Sequence, residues 1–185
     1  MKRIDAEVLQ PFLKGVQADG LYFRGVIYAG IMVTAEGPKL LEFNVRFGDP
    51  ETQAVLARLD SDLVEALVAT ADARLSEVTL KWSDDPAVCV VMASQGYPGS
   101  YPKGLPISGL DEAAKTGCVV FHAGTKAGEN GAILTNGGRV LGVTARGTTL
   151  REAVDKAYAG VAKISWTGVE YRKDIAHKAF AHLAK

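Results

Sequence analysis

"LEFNVRFGDPETQ", Leu41–Gln53, is the stretch on which the reading of this 185-residue chain turns. Leu41, Phe43, Val45 and Phe47 alternate with Glu42, Asn44 and Arg46, which is the two-residue period of a β-strand. The spacing predicts a strand over Leu40–Phe47. It turns Leu41, Phe43, Val45 and Phe47 into a core and Leu40, Glu42, Asn44 and Arg46 to the other face. "GDPE" then ends the strand and opens a helix: Asp49 suits an N-cap, Pro50 the first helical position, and Glu51 the positive end of the helix dipole. The polar face has two readings. One is the wet side of an amphipathic hairpin. The other is a partial cation site. Same-face neighbours lie about 7 Å apart along a strand, so side-chain oxygens of Glu42 and Asn44 can converge on one small cation. Mg²⁺ accepts one or two protein oxygens and takes the rest from phosphates and water. Arg46 continues the row with a planar fork suited to phosphate or carboxylate. Metal, phosphate and cation in line is what phosphoryl transfer needs. Alternation alone leaves both readings open.

Outward from this stretch, "RGVIYAGIMVT" (Arg24–Thr34) is apolar on both faces and predicts a central strand covered on both sides. The turn "AEGPK" pairs it antiparallel with Leu40–Phe47. Ile4, Val8, Phe12, Leu13 and Val16 stand at helical spacing, with Pro11 predicting a kink or a late helix start. Leu63, Leu67, Val68, Ala71 and Leu75 form the stripe of a longer amphipathic helix. After about Leu75 the pattern changes to short strands: Val78–Trp82, Ala87–Ser94, Cys118–Thr125, Ala132–Thr135 and Arg139–Ala145. Asn136-Gly137 reads as a type I′ hairpin turn. Ser108–Asp111 caps a short helix. Thr149–Glu152 is a capping box that opens a helix through about Ile164, with Leu150, Val154, Tyr158 and Val161 inward. Asp174–Leu183 is a last helix. There is no internal repeat and no low-complexity linker, so residues 1–75 and 76–185 are divided by pattern and not by a tether.

The 21 Lys+Arg balance 21 Asp+Glu, which gives no global pull toward nucleic acid or an anionic membrane surface. No apolar run approaches a membrane span, and "MKRIDAEVLQPFLKG" lacks the plan of a signal peptide. A cytoplasmic location is expected. Cys89 and Cys118 lie in apolar runs and read as buried free thiols without a zinc-ligand pattern. His122 on a strand reads as structural. His177 and His182 stand five apart, where a helical metal pair prefers four, and read as surface residues. Trp82 and Trp166 read as core or interface aromatics, and Tyr97 and Tyr101 as pins of a loop. "GYPGSYPKG" does not fit a phosphate-binding loop, and no G-x-G-x-x-G occurs.

Word for word, "LEFNVRFGDPETQ" resembles the signature of the glycinamide ribonucleotide synthetase (phosphoribosylamine–glycine ligase) family of the ATP-grasp superfamily. "FRGVIYAGIMVTAEGPKLLEFN" resembles the strand pair before that signature. "ASQGYPGSYPKG", "VFHAGT" and "GRVLGVTARGTTLREAVDKAY" resemble the family's C-terminal domain in the same order. The resemblance runs from about Arg3 to Phe180. It implies an α+β fold: the C-terminal part of an ATP-grasp domain over residues 1–75, then a small, mainly antiparallel β domain with packed helices over 76–185. It implies ATP-dependent joining of glycine to 5-phosphoribosylamine through a glycyl phosphate, with Mg²⁺ or Mn²⁺ as cofactor and ATP as co-substrate. Glu42 and Asn44 match the family's metal ligands, and Arg46 an anion-binding position near the transferred phosphoryl group. Gly48 and Asp49 match the substrate end, and Lys103 and Arg146 are candidates for the phosphoribosyl moiety. The family's enzymes are more than twice this length, and their phosphate-covering loop and most adenine contacts precede the segment matched here. The expectation is therefore a C-terminal piece or one half of a split enzyme, without ligase activity by itself. Two alternatives stand beside it: a non-catalytic subunit that completes an ATP-grasp site with a separate N-terminal chain, and an ATP-grasp ligase of another acid and amine.

Overall fold

The computed structural model describes residues 1–183. The predicted second domain's last two residues, 184 and 185, and the surface reading of His182 lie outside the described residues. In chain order the first elements are α1 (Lys2–Ile4), α2 (Gln10–Ala18), β1 (Tyr28–Thr34), β2 (Gly37–Asn44), α3 (Glu51–Leu56) and α4 (Leu63–Ala71). Next come β3 (Ala87–Ser94), β4 (Pro106–Ile107), α5 (Leu110–Ala114), β5 (Val119–His122), β6 (Thr125–Ala127) and β7 (Ile133–Thr135). The last are β8 (Arg139–Arg146), α6 (Leu150–Val161), β9 (Val169–Tyr171) and α7 (His177–Leu183). They form two compact units: Met1–Gly48 with Ser61–Leu80, and Asp49–Asp60 with the residues from Lys81 on. The fold is α+β, and every ladder among the described strands is antiparallel.

In the first unit, α1 and α2 are joined by a π-helical turn over Asp5–Leu9. The disturbance expected at Pro11 takes this form. A proline cannot return an N–H to the carbonyl four residues back, and the widened turn before it shifts the pairing so that the Gln10 N–H reaches Asp5 O. β1 and β2 pair as the expected hairpin, with a bulge where Gly30 faces Glu42 and Ile31 faces Leu40. Leu41 is the extra residue. The bulge reverses the facing of everything before it, so Leu40 lines the same groove as Phe43, beside Phe12. Its expected place beside Glu42 and Asn44 is thereby corrected. At the hairpin turn Gly37 has φ +130°, and a Cβ there would collide with the Arg3 guanidinium. That guanidinium donates to Glu7 and to Glu36 O.

Three further expectations for this unit change. β1 is half of a two-stranded ribbon and not a covered central strand. A ribbon with a single helical layer has too few layers to bury both faces, so Val33, Leu41 and Val45 are 74%, 64% and 72% exposed. Of the predicted inward row only Phe43 is tied to an aromatic partner, its ring 3.9 Å from that of Phe12. The strand stops at Asn44, short of Phe47. α4 starts where the Asp62 carboxylate accepts the Val64 N–H, and it ends at Ala71, before Leu75. The buried residues of α4 are Ala66 and Ala69, while Leu67 and Val68 of the predicted stripe are exposed.

The second unit is built on a four-stranded sheet in the order β5-β8-β3-β9. β8 is buried from Val140 to Ala145, both faces included. α6 covers one side, where Gly160 leaves room for Cys118 and Val143. α3 lies on the other, where Gly142 leaves room for Cys89 and Gln53. The alternate residues Val88, Val90 and Met92 of β3 join Val154, Val161 and Trp166 in one apolar core. Burial on this scale supplies about 25 cal/mol for each Å² of apolar surface removed from water. The capping box forms in a shifted version. Thr149 accepts the Glu152 N–H, and the Glu152 carboxylate takes the Thr148 N–H and hydroxyl.

Asn136-Gly137 does not make a hairpin. β7 belongs to a second sheet, β4-β7-β6, so the turn crosses between sheets. Gly137 is needed for close approach: a Cβ there would stand 2.8 Å from Gly124 Cα. The predicted strand Cys118–Thr125 divides into β5 and β6 at that same crossing. Val78–Trp82 forms no strand, and only Trp82 bridges, to Leu59. Ser108 does not cap α5. Its hydroxyl pairs with Ser165, and Gly109 at φ +83° holds the cap position. The Asp49 cap is likewise displaced by one residue, to Pro50.

Candidate active site

Glu42 and Asn44 share one face of β2 because no bulge separates them. The Asn44 amide donates to Glu42 Oε1 at 2.9 Å. Gly30 faces Glu42 across the hairpin, and a Cβ there would meet Glu42 Cγ at 3.4 Å, so the strand partner leaves the carboxylate uncrowded. Glu42 is exposed and Asn44 half-buried. The donor set fits a hard divalent cation: one carboxylate, and one amide that offers its oxygen after a half-turn of the amide group. No group of three or more His, Cys, Asp or Glu side chains able to hold a metal occurs among the described residues. Two oxygens are thus what this segment brings. Arg46 follows the strand end in a bend, and its Nη1 donates to Phe47 O at 2.8 Å. Gly48 is buried.

Asp49 opens the second unit's part of the predicted set. It accepts from Arg139 twice, Nη1 to its backbone oxygen at 2.7 Å and Nη2 to Oδ2 at 3.0 Å. Its other carboxylate oxygen takes the Gln53 amide at 3.3 Å. Arg146 ends β8. It donates to Ala57 O and to Asp60 Oδ1, each at 3.2 Å, with Asp85 at 3.7 Å. Lys103 lies 5.8 Å from the centre of the Tyr101 ring. Its loop is tied by Gln95 N–H to Gly168 O at one end and Gly104 N–H to Thr135 O at the other. Tyr97 and Tyr101 pack over Gly138, where any Cβ would run into the Tyr97 ring. The structure therefore pairs Glu42 with Asn44, and gives Asp49, Lys103 and Arg146 separate partners.

Arg139 is the residue that sequence reasoning missed. The available signal was a guanidinium at the mouth of an otherwise apolar strand, directly after two glycines. It lines a groove of about 490 Å³ with Pro50, Tyr97, Tyr171, Glu170 and Arg172. Nearby, the half-buried Cys89 thiol is pushed up, first by burial, with the Thr144 hydroxyl opposing and the Asp49 charge adding. His122 Nδ1 meets Thr125 Oγ1 at 3.1 Å across the β5–β6 corner, in keeping with a structural role.

Residues 1–52 match the family described as phosphoribosylglycinamide synthetase, ATP-grasp (A) domain, and residues 87–178 the phosphoribosylglycinamide synthetase C domain. A phosphoribosylamine–glycine ligase of Allochromatium vinosum is 52% identical over 180 residues, 97% of this chain and 42% of that protein. One from Caldanaerobacter subterraneus is 48% identical over 176 residues, 95% of this chain and 42% of that protein. The crystal structure of a phosphoribosylamine–glycine ligase from Thermotoga maritima superposes with a TM-score of 0.71 at 36% identity, over 88% of this chain and 39% of that one. An N5-carboxyaminoimidazole ribonucleotide synthetase from the same organism shares the fold alone, with a TM-score of 0.55 at 18% identity. The class is thus ATP-grasp, continued by a small β-rich domain. The chain belongs to the phosphoribosylglycinamide synthetase family. It spans less than half the length of these relatives.

Proposed function

We propose that this chain is the C-terminal part of a purine-biosynthetic ligase that joins glycine to 5-phosphoribosylamine at the expense of ATP. A glycine carboxylate oxygen attacks the γ-phosphorus and ADP leaves. The amine of phosphoribosylamine then attacks the acyl carbon, and phosphate leaves. Residues 1–75 close an ATP-grasp domain, and 76–185 form the substrate-side domain. The observation that carries this reading is the Glu42–Asn44 pair, side by side on one face of β2. These two residues would hold Mg²⁺ or Mn²⁺ through the Glu42 carboxylate and the Asn44 amide oxygen. The cation, when bound, neutralises charge on the transferring phosphoryl group. Arg46 adds a fixed positive charge at the same end. Gly48 and Asp49 shape the substrate end, and Lys103 and Arg146 serve the phosphoribosyl group, Lys103 being the more available because Arg146 is already held by Asp60 and Asp85.

The uncovered apolar side chains of the first unit, Val33, Leu41, Val45 and Val64 among them, favour a partner surface. That surface belongs to the portion the relatives possess and this segment lacks. By itself the chain gives no turnover, and with that portion it does. Among the described residues no helix is long and apolar enough to cross a membrane, and a cytoplasmic location is part of the proposal. The test supplies the N-terminal portion of a relative as a second chain and follows ADP release. Release that requires both glycine and phosphoribosylamine supports the reading. A stable complex without turnover supports a purely structural subunit instead, and release driven by another acid and amine supports a different ligase.

A further inference from the structure

Each oxygen of Asp49 takes a hydrogen bond from within the second unit. Arg139 grips the backbone oxygen and Oδ2, and Gln53 holds Oδ1. A residue held at its backbone oxygen and at both carboxylate oxygens makes a good handle for its segment. Arg139 itself stands on a rigid post. It is the first residue of β8, whose next six residues are buried. The two residues before it are fixed to β3, Ser94 donating its hydroxyl to Gly137 O at 2.9 Å and its N–H to Gly138 O at 2.8 Å. Ser94 is 1% exposed. The grip thus fastens Asp49-Pro50 to the central sheet, where Pro50 and Arg139 form one wall of the groove that Tyr97 and Tyr171 also line.

We propose that Arg139 is a positioning residue of the ligase. It fixes Asp49, and through Asp49 the backbone at the substrate end, and Asp49 acts as the anchor of that segment and not as a contact to substrate. The proposal rests on the function argued above. A planar two-point fork is a property of the guanidinium; an ammonium carries its three donors on one atom and cannot present them in parallel to two separated oxygens.

The test compares Arg139→Ala, Arg139→Lys, Asp49→Ala and the Arg139→Ala/Asp49→Ala double variant in the ligase completed by its N-terminal portion. Misplacement of a substrate-side segment by about 1 Å costs on the order of 100-fold. Arg139→Ala is expected to lower kcat/KM for phosphoribosylamine by about that factor while KM for ATP stays within about twofold. Lysine restores little of the loss. The double variant is no worse than the worse single one, since both act through one bond set. Wild-type kinetics in Arg139→Ala, an equal rise in KM for ATP, or additive losses in the double variant would overturn the proposal. If the completed wild-type protein shows no turnover, the functional reading fails by itself. Hydrogen exchange on this chain then tests the anchor: faster exchange over α3 in Arg139→Ala, with β3 unchanged, upholds it, and unaltered exchange over α3 overturns it.

Discussion

Glu42 and Asn44 were legible because chemistry and period coincide in them: oxygen donors two apart on a strand need no tertiary information to share a face. Arg139 was not legible, because its partner stands 90 residues away and nothing local marks the pair. Backbone strain shows the same divide. Ala73 follows α4 at φ 58°, and the Arg74 N–H returns to Ala69 O at 2.7 Å, a helix stop that suits glycine. Ala73→Gly should raise stability by about 0.5–1 kcal/mol, the relief of a left-handed alanine less the added freedom of the unfolded chain. The urea midpoint reads this out. Glu152 gives a pH signature. Lys156 first, then Thr148, holds its carboxyl down at about 2, below its ordinary 4.5. A depressed carboxyl contributes stability above its unfolded value and loses it as pH falls through its folded one. Wild-type melting temperature should therefore fall between pH 4.5 and about 2 more steeply than that of Glu152→Gln.

The hairpin, β3, β8 and α6 were read from the sequence because β2, β3 and α6 carry their own period, and β1 and β8 are apolar runs with turn residues at their ends. The predicted hairpin at Asn136-Gly137 failed for a stated reason: two glycines permit a tight turn, but here they permit two backbones to meet between sheets. The central-strand reading of Arg24–Thr34 failed because apolar content on both faces does not supply neighbours, and among the described residues β1 pairs with β2 in a two-stranded sheet. Substitutions should follow this division. Leu141→Ala, in the fully covered strand, should cost about 2–5 kcal/mol. Val68→Ser, on the exposed side of α4, should change the stability of this chain by less than about 0.5 kcal/mol. Paired denaturant titrations measure both. A large loss at Val68 would mean that α4 is covered in this chain.

At the scale of the molecule, the second unit carries a core of its own, while among the described residues of the first the buried hydrophobics are Val8, Ala66 and Ala69. The matched span is 42% of each of the two ligases compared. The fold could be named from the sequence because several motifs occur in order. The partners of the candidate site were less legible, because Asp49 and Arg146 are engaged by residues about 90 positions away along the chain. The central claim is that Glu42 and Asn44 hold the divalent cation. Its most direct test is a Mn²⁺ titration by electron paramagnetic resonance on the completed ligase with ATP bound, comparing wild type with Glu42→Gln. Loss of the charged ligand should weaken Mn²⁺ more than about tenfold. An unchanged Mn²⁺ affinity would contradict the account.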